Sequence, residues 1–254
     1  MWTDTHAHPF ASAFSKDRKE VIQRAVEAGV SRMIIVGFDQ ETNRQAIELA
    51  EAYDFMWATL GIHPCECDQL TEEELAWIQE KAAHPRVVAL GEMGLDYHHM
   101  SFPIEVQKEC FRKQVRLAKE LNLPCIVHSR DAAEDTLALL LEEKAEKVIF
   151  HCYSYDLDFA KRVWEAGYYT SFSGVVTYPQ AANVQEAARH APLDKLLVET
   201  DCPYLAPQSI RGKRNEMAYV VEVGEKVAEL RGEKAEKVAE QTTQNALSLF
   251  GLQP

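Results

Sequence analysis

Residues 87–96 read VVALGEMGLD, a short run of β-branched and apolar side chains that stops at Gly91 and leads to Glu92 and Asp96. Such a run has the length and composition of a strand buried on both faces of a parallel sheet. Apolar runs of this kind recur along the chain, and several stop at residues able to bind a metal. They predict strands at 2–6, 33–37, 55–61, 87–91, 124–128, 148–151, 168–172 and 196–200.

Helical patterns fill the stretches between these strands. They predict helices at 16–28, 72–83, 104–121, 132–143, 157–166, 180–190, 216–230 and 233–250. About eight β-α units in 254 residues favour an α/β fold consisting of a single (β/α)8 TIM barrel, with residues 1–254 as one domain. The competing architecture is an open doubly wound sheet, but no G-x-G-x-x-G follows the first strand.

Composition limits the classes of partner. The net charge is −13, from 27 Lys+Arg against 40 Asp+Glu, so a nucleic acid would have to be met by a local basic patch or by bound cations. No apolar run approaches the roughly 18 residues of a membrane helix. Six irregularly spaced cysteines predict reduced thiols in a cytoplasmic protein. Cys65 and Cys67 lack a partner pair at zinc spacing, so we interpret them as loop cysteines without a special role. No obligatory protein partner is indicated.

The ends of five predicted strands carry metal-ligand residue types, and in a barrel of this class the site is built at those ends. The six candidate ligands are His6, His8, Glu92, His128, His151 and Asp201. Nitrogen and carboxylate donors suit Zn²⁺, Mn²⁺, Mg²⁺ or Ni²⁺, and six of them exceed what one tetrahedral ion uses. We therefore predict two divalent ions.

The ligands divide between the two ions by position. His6 and His8 point to the same face of an extended strand and, with Asp201, would hold one ion. His128 and His151 would hold the other, and Glu92 would bridge the pair. A lone buried histidine is more often structural, but the agreement of five strand ends favours metal.

Two metals would lower the pKa of a bridging water and neutralise charge on a phosphoryl group. Asp201 is the candidate for accepting the proton of that water, with Glu92 as the bridging carboxylate. Glu199 alternates with Asp201 and would orient a histidine or the water. Asp4 either pairs with His6 by the same alternation or makes a structural contact. His84, His98, His99 and His190 lie in helix ends or loops and are expected at the surface.

Seven strings together resemble the TatD family of metal-dependent deoxyribonucleases, which is similar in fold to the amidohydrolases. They are DTHAH at 4–8, GIHP at 61–64, GEMGLDY at 91–97, VHSRDA at 127–132, HC at 151–152, ETDCPYLAP at 199–207 and RGKRNE at 211–216. The resemblance implies a divalent-metal phosphodiesterase acting on DNA with the six ligands above. Residues 152–155 read CYSY, where the family commonly has a glycine after the serine, so substrate contacts of that loop do not carry over.

Five further residues are candidates for substrate binding. His63 would hydrogen-bond a phosphate or a ligand carboxylate, the alternative being a structural role. Arg130 would clamp a phosphate through both guanidinium nitrogens, or form a rim salt bridge to Asp131 or Glu134. Arg211, Lys213 and Arg214 form a basic run that would hold phosphate, the alternative being an ion pair with Glu216 or with the loops beside Glu92.

The predicted function is a deoxyribonuclease, exonuclease-like, that hydrolyses phosphodiester bonds of single-stranded DNA or DNA ends. A metal-dependent esterase or amidohydrolase, such as a D-aminoacyl-tRNA deacylase, is the alternative, because ester chemistry needs only a different pocket above the same metals. A metal-dependent binding protein without catalysis is a third possibility. It would not explain why the metal ions have coordination positions that no protein ligand fills.

Overall fold

The computed structural model describes residues 1–253. Its strands are β1 (Trp2–Ala7), β2 (Val30–Val36), β3 (Met56–Leu60), β4 (Val87–Asp96), β5 (Cys125–Arg130), β6 (Val148–Phe150), β7 (Tyr169–Phe172) and β8 (Leu196–Val198). They follow one another in the sheet in chain order, and neighbouring strands run parallel. The predicted α/β class and (β/α)8 barrel are confirmed.

The α-helices lie between and after these strands. They are α1 (Arg18–Glu27), α2 (Gln40–Ala52), α3 (Glu72–Lys81), α4 (Ile104–Glu120), α5 (Ala133–Glu142), α6 (Leu157–Glu165), α7 (Ala182–His190), α8 (Val220–Arg231) and α9 (Ala235–Phe250). Among residues 1–253, no helix has both the length and the apolar character that crossing a bilayer requires.

Helix α2 is present in the structure but is not predicted by the sequence pattern. Asp39 caps it by accepting a hydrogen bond from the Thr42 amide at 2.7 Å, and the Thr42 hydroxyl oxygen accepts one from the Asp39 amide at 3.0 Å. This reciprocal cap has threonine at the position where the usual signature has Glu or Gln. The buried face of α2 relies on small residues such as Ala46 and Ala50, which weakens its apolar periodicity.

The described chain divides into two compact units. Unit 1 comprises Met1–Ile35, Cys152–Glu165 and the chain from Tyr169 onward; unit 2 comprises Val36–His151 and Ala166–Tyr168. Unit 1 contains β1, β7, β8 and β2 up to Ile35. Unit 2 contains β3 to β6. The assignment of residues 1–254 to one domain stays a prediction.

Within unit 1 the segment at the end of β1 is hydrogen-bonded to the segment that follows β8. The amide of Asp201 donates to the His6 carbonyl at 2.8 Å, and the amide of His8 donates to the Cys202 carbonyl at 3.0 Å. Ala7 and Cys202 form a parallel bridge just beyond β8. Joining of the first strand to the last distinguishes a closed barrel from an open sheet, so the doubly wound alternative is excluded.

Within unit 2, β4 is longer than predicted. It was expected to end at Gly91 but continues, buried throughout, to Asp96, because it stays paired with β5 as far as Arg130. Gly94 has φ +147°, and a Cβ atom there would collide with the carbonyl oxygen of His128. Glycine thus lets β4 and β5 approach closely beside Glu92, which lies within the strand rather than after it.

Candidate metal centre

Unit 1 brings together His6, His8 and Asp201, which we call cluster 1. The Nε2 atoms of His6 and His8 lie 3.1 Å apart. Asp201 Oδ1 lies 3.7 Å from the first and 3.3 Å from the second. Both histidines are buried, and the Asp201 side chain is 14% exposed. Two imidazoles and a carboxylate therefore converge at the end of β1, with the carboxylate nearest to solvent.

Asp4 supports cluster 1 through the backbone. Its Oδ2 accepts a hydrogen bond from the Thr200 hydroxyl at 2.6 Å, and its Oδ1 accepts from the amides of Thr200 at 2.9 Å and His6 at 3.3 Å. Burial raises the pKa of Asp4 to about 7 in spite of these hydrogen bonds. The contact with His6 is to its amide rather than its ring, so Asp4 fixes the two chain segments from which the cluster 1 ligands project.

Glu199 is fully buried in unit 1. Its Oε1 accepts a hydrogen bond from the amide of Cys152 at 2.6 Å. The residue is thereby tied to the chain that follows His151, and its role toward a histidine or a water stays a prediction.

Unit 2 brings together Glu92, His63, His128 and His151, which we call cluster 2. Glu92 Oε1 lies 2.9 Å from His128 Nδ1, 3.0 Å from His151 Nε2 and 3.5 Å from His63 Nε2. Burial opposes the charge of Glu92, but the three imidazoles together hold its pKa well below the ordinary value. In cluster 2 a carboxylate is thus surrounded by nitrogen donors. The cluster contains three of the six predicted ligands, Glu92, His128 and His151.

His63 is oriented by the turn that follows it. Its Nδ1 accepts a hydrogen bond from the amide of Cys65 at 3.1 Å. Burial, together with the neighbouring His128, lowers the pKa of His63 to about 3, so the ring is neutral and carries its proton on Nε2. That nitrogen lies 3.5 Å from Glu92 Oε1, so the ring is positioned to direct an N–H toward the carboxylate.

Asp96 is a member of the site to which the sequence pattern assigns no role. Its Oδ2 lies 3.1 Å from His128 Nε2 and 2.8 Å from His99 Nδ1. Burial opposes its charge, yet these imidazoles and the amide of His99 hold its pKa well below the ordinary value. A carboxylate on the far nitrogen of a ligand histidine fixes the ring and its tautomer. The signal was in the sequence, because Asp96 lies four residues after Glu92 and shares its face of β4.

Arg130 and Arg211 are two of the four predicted substrate-binding cations, and both are exposed. Arg130 is exposed and makes no ion pair within residues 1–253; Asp131, one of its proposed partners, lies 3.2 Å from His98 instead. Arg211 is also exposed, and its guanidinium lies over the ring of Tyr178, 4.3 Å from the centroid.

The other two differ from each other. Lys213 is exposed. Arg214 is held by carboxylates, with Nη2 lying 2.6 Å from Asp17 and 2.8 Å from Glu216. The ion pair with Glu216 that stood as the alternative is present. Phosphate binding by Arg214 would require it to leave both partners.

The chain is similar to known proteins in both sequence and structure. The profile of a family described as TatD related DNase matches residues 3–251. An uncharacterized metal-dependent hydrolase, YabD of Bacillus subtilis, is 48% identical, and the match covers 98% of this chain and 99% of the relative. A protein of Escherichia fergusonii named 3'-5' ssDNA/RNA exonuclease TatD is 36% identical, with coverage of 95% and 96%. The crystal structure of YJJV, a TatD homolog from Escherichia coli, superposes with a TM-score of 0.92 at 31% identity, with coverage of 99% and 98%.

Proposed function

The chain belongs to the TatD-related DNase family of metal-dependent hydrolases, and from this premise we propose that it hydrolyses phosphodiester bonds of DNA, acting on single strands or accessible ends. The observation that carries the proposal is the pair of buried histidine–carboxylate clusters. Each presents the donor set with which metallohydrolases hold a divalent ion.

The chemistry of the donors fits a metal in both clusters. In cluster 1, the two ring nitrogens 3.1 Å apart can share only one proton, and both face the Asp201 carboxylate. In cluster 2, His128 Nδ1 and His151 Nε2 lie about one hydrogen-bond length from the same oxygen of Glu92. We propose that each cluster would hold one divalent ion.

When bound, such ions lower the pKa of a water molecule and neutralise charge on a phosphoryl group. The protein's own residues would do the rest. Asp201, the partly exposed member of cluster 1, accepts the proton of the attacking water. Asp96 keeps His128 in one tautomer, and the Nε2–H of His63 donates a hydrogen bond to Glu92 or to a phosphate oxygen.

A nucleic acid substrate is supported by an aromatic side chain beside cluster 1. Tyr204 is 56% exposed, and its ring centroid lies 6.3 Å from that of His8. Exposed aromatic rings stack on the bases of single strands. Arg130, Arg211 and Lys213 are the exposed candidates for phosphate contacts, and the net charge of −13 leads us to expect weak, salt-sensitive binding.

The test uses the full chain, stripped of metal and reloaded with Mn²⁺ or Zn²⁺, with the metal content measured. It is offered single-stranded DNA, duplex DNA, RNA and D-aminoacyl-tRNA. We expect cleavage of single-stranded DNA by the wild type and none by Asp201→Asn. Absence of DNA cleavage by fully loaded protein would refute the proposal, and hydrolysis of the aminoacyl ester alone would favour the esterase alternative.

Arg130→Gln gives a sharper version of the same experiment. We expect weaker DNA binding with unchanged metal content, measured by fluorescence anisotropy and metal analysis. The matched control is Arg116→Gln, which removes an exposed arginine paired with Glu143. Loss of metal from the Arg130 variant would show that the substitution acts on the structure rather than on phosphate binding.

A further inference from the structure

A second group of metal-ligand side chains lies in unit 2 outside clusters 1 and 2. Cys65 comes from the 3-10 segment Pro64–Gln69 that follows β3, Asp96 ends β4, and His99 follows three residues later. Their ligand atoms lie within 4.8 Å of one another. We propose that Cys65, Asp96 and His99 form an accessory binding site for Zn²⁺.

The types of donor atom in this group favour Zn²⁺. Thiolate, imidazole and carboxylate are the three ligand types that Zn²⁺ accepts in tetrahedral sites, and water fills the fourth position. Thiolate disfavours Mg²⁺ and Ca²⁺, which prefer oxygen donors. Clusters 1 and 2 contain only nitrogen and oxygen donors, so sulfur distinguishes this site from both.

The group is held in place before any ion binds. Asp96 Oδ1 accepts hydrogen bonds from the amides of His98 at 2.9 Å and His99 at 2.7 Å, which ties the loop carrying His99 to the carboxylate. On the other side, the amide of Cys65 donates to His63 Nδ1. The backbone that carries each of the three ligands is therefore fixed, and closing around an ion requires movement of the side chains alone.

Access and charge also suit an exchangeable ion. The His99 side chain is 53% exposed, and Cys65 is half-buried, so the group opens to solvent. Binding forms a sulfur–zinc bond as the Cys65 thiol gives its proton to solvent. The two negative charges of thiolate and carboxylate then balance the charge of Zn²⁺.

The spacing of Cys and His residues along the sequence does not reveal this site. Cys65 and Cys67 have no Cys or His pair at zinc spacing along the chain, because the partners of Cys65 come from the next strand. This proposed site replaces the prediction that Cys65 has no special role.

The site has a regulatory consequence, which rests on the proposed function. The Oδ2 atom of Asp96 that faces His99 also accepts from His128 Nε2 at 3.1 Å. An ion on Asp96 competes for the carboxylate that orients His128 in cluster 2. Excess Zn²⁺ is therefore expected to inhibit a chain whose two proposed catalytic ions are already bound.

The binding test is spectroscopic and does not require activity. Metal-free full-length protein is titrated with Co²⁺ while the thiolate-to-cobalt charge-transfer absorption is recorded in the near ultraviolet. We expect a band that is lost in Cys65→Ser, weakened in His99→Ala and retained in Cys152→Ser, the control for the cysteine next to His151. No band in folded wild type, or a band that persists in Cys65→Ser, overturns the site.

The activity test follows on the metal-loaded chain. We expect excess Zn²⁺ to inhibit DNA cleavage by the wild type and to inhibit Cys65→Ser at least tenfold less strongly (about 1.4 kcal/mol at 25 °C). Equal inhibition of both proteins, with the cobalt band intact, overturns the regulatory step alone. A chain that shows the band but cleaves no DNA contradicts the proposed function and leaves the accessory site standing.

Discussion

Clusters 1 and 2 hold the same types of donor atom but are supported in different ways. Behind cluster 1, the buried carboxylate of Asp4 hydrogen-bonds a hydroxyl and two backbone amides. Behind cluster 2, the buried carboxylate of Asp96 hydrogen-bonds the ring of His128 itself. Strand pairing therefore fixes the geometry of cluster 1, whereas side-chain hydrogen bonds set that of cluster 2. We expect metal affinity in cluster 2 to respond more strongly to changes behind its ligands.

The largest effect is expected when the central carboxylate of cluster 2 is removed. Glu92→Gln leaves His128 and His151 without the anion that each of them faces, and we expect loss of one bound ion and of activity. The loss of metal affinity should exceed the roughly 10–100-fold that removal of an outer partner costs. Metal analysis after chelator competition measures it, and two tightly bound ions in the variant would contradict the assignment.

A smaller effect is expected behind cluster 2. Asp96→Asn removes the anion that orients His128, and we expect the metal affinity of cluster 2 to fall by roughly 10–100-fold while that of cluster 1 is unchanged. The control is Asp131→Asn, which removes an exposed carboxylate paired with His98. Equal affinity in Asp96→Asn and the wild type would remove the distinction between the two clusters.

The matching change behind cluster 1 should affect stability instead. Thr200→Val removes a donor from the buried carboxylate of Asp4, which is expected to lower the free energy of unfolding by about 1–3 kcal/mol. Urea denaturation measures the loss, and Thr200→Ser, which keeps the hydroxyl, serves as control. A fall in cluster 1 metal affinity as large as that of Asp96→Asn would show that both clusters depend on their outer carboxylates in the same way.

The smallest effect is expected in the ion pairs of Arg214 with Asp17 and Glu216. Hydrogen bonds from Arg214 hold the pKa of Asp17 below its ordinary value; for Glu216, burial acts in the opposite direction, but Arg24 and Arg214 hold its pKa down. Both carboxylates therefore stabilise the fold above their unfolded pKa of about 4, and this contribution is lost as the pH falls through the depressed folded values.

Arg214→Gln should accordingly lower the melting temperature slightly at pH 7, and the difference from wild type should narrow below about pH 4. Thermal denaturation across this range tests it, with Arg211→Gln as control. A difference that stays constant down to pH 3 would show that the ion pairs are not its source.

The sequence allowed the strands and the ligand types to be predicted because both depend on local patterns. Apolar runs located all eight strands, and the residues at or just beyond the predicted ends of these runs included every member of clusters 1 and 2. The partners of those residues depend on tertiary structure. Nothing in the chain near Arg214 predicts Asp17, and Cys65 meets Asp96 only because β3 pairs with β4.

Prediction from local sequence patterns also failed where a signal was present but had an atypical form. Helix α2 begins with a threonine where Glu or Gln is the usual signal, and its buried face is small. The end of β4 was placed at Gly91 because glycine normally interrupts a strand, whereas here it permits the approach of β5. Asp96 was overlooked although its spacing from Glu92 placed both on one face.

The hydrogen bonds between the segments at the end of β1 and after β8 have a consequence for folding during translation. The members of cluster 2 lie between His63 and His151, so all of them exist once residue 151 has been translated. Cluster 1 joins His6 and His8 to Asp201, which is made 50 residues later (201 − 151). The loop that must close around cluster 1 also spans most of the chain and carries the larger entropic cost. A growing polypeptide therefore completes the donor set of cluster 2 before that of cluster 1.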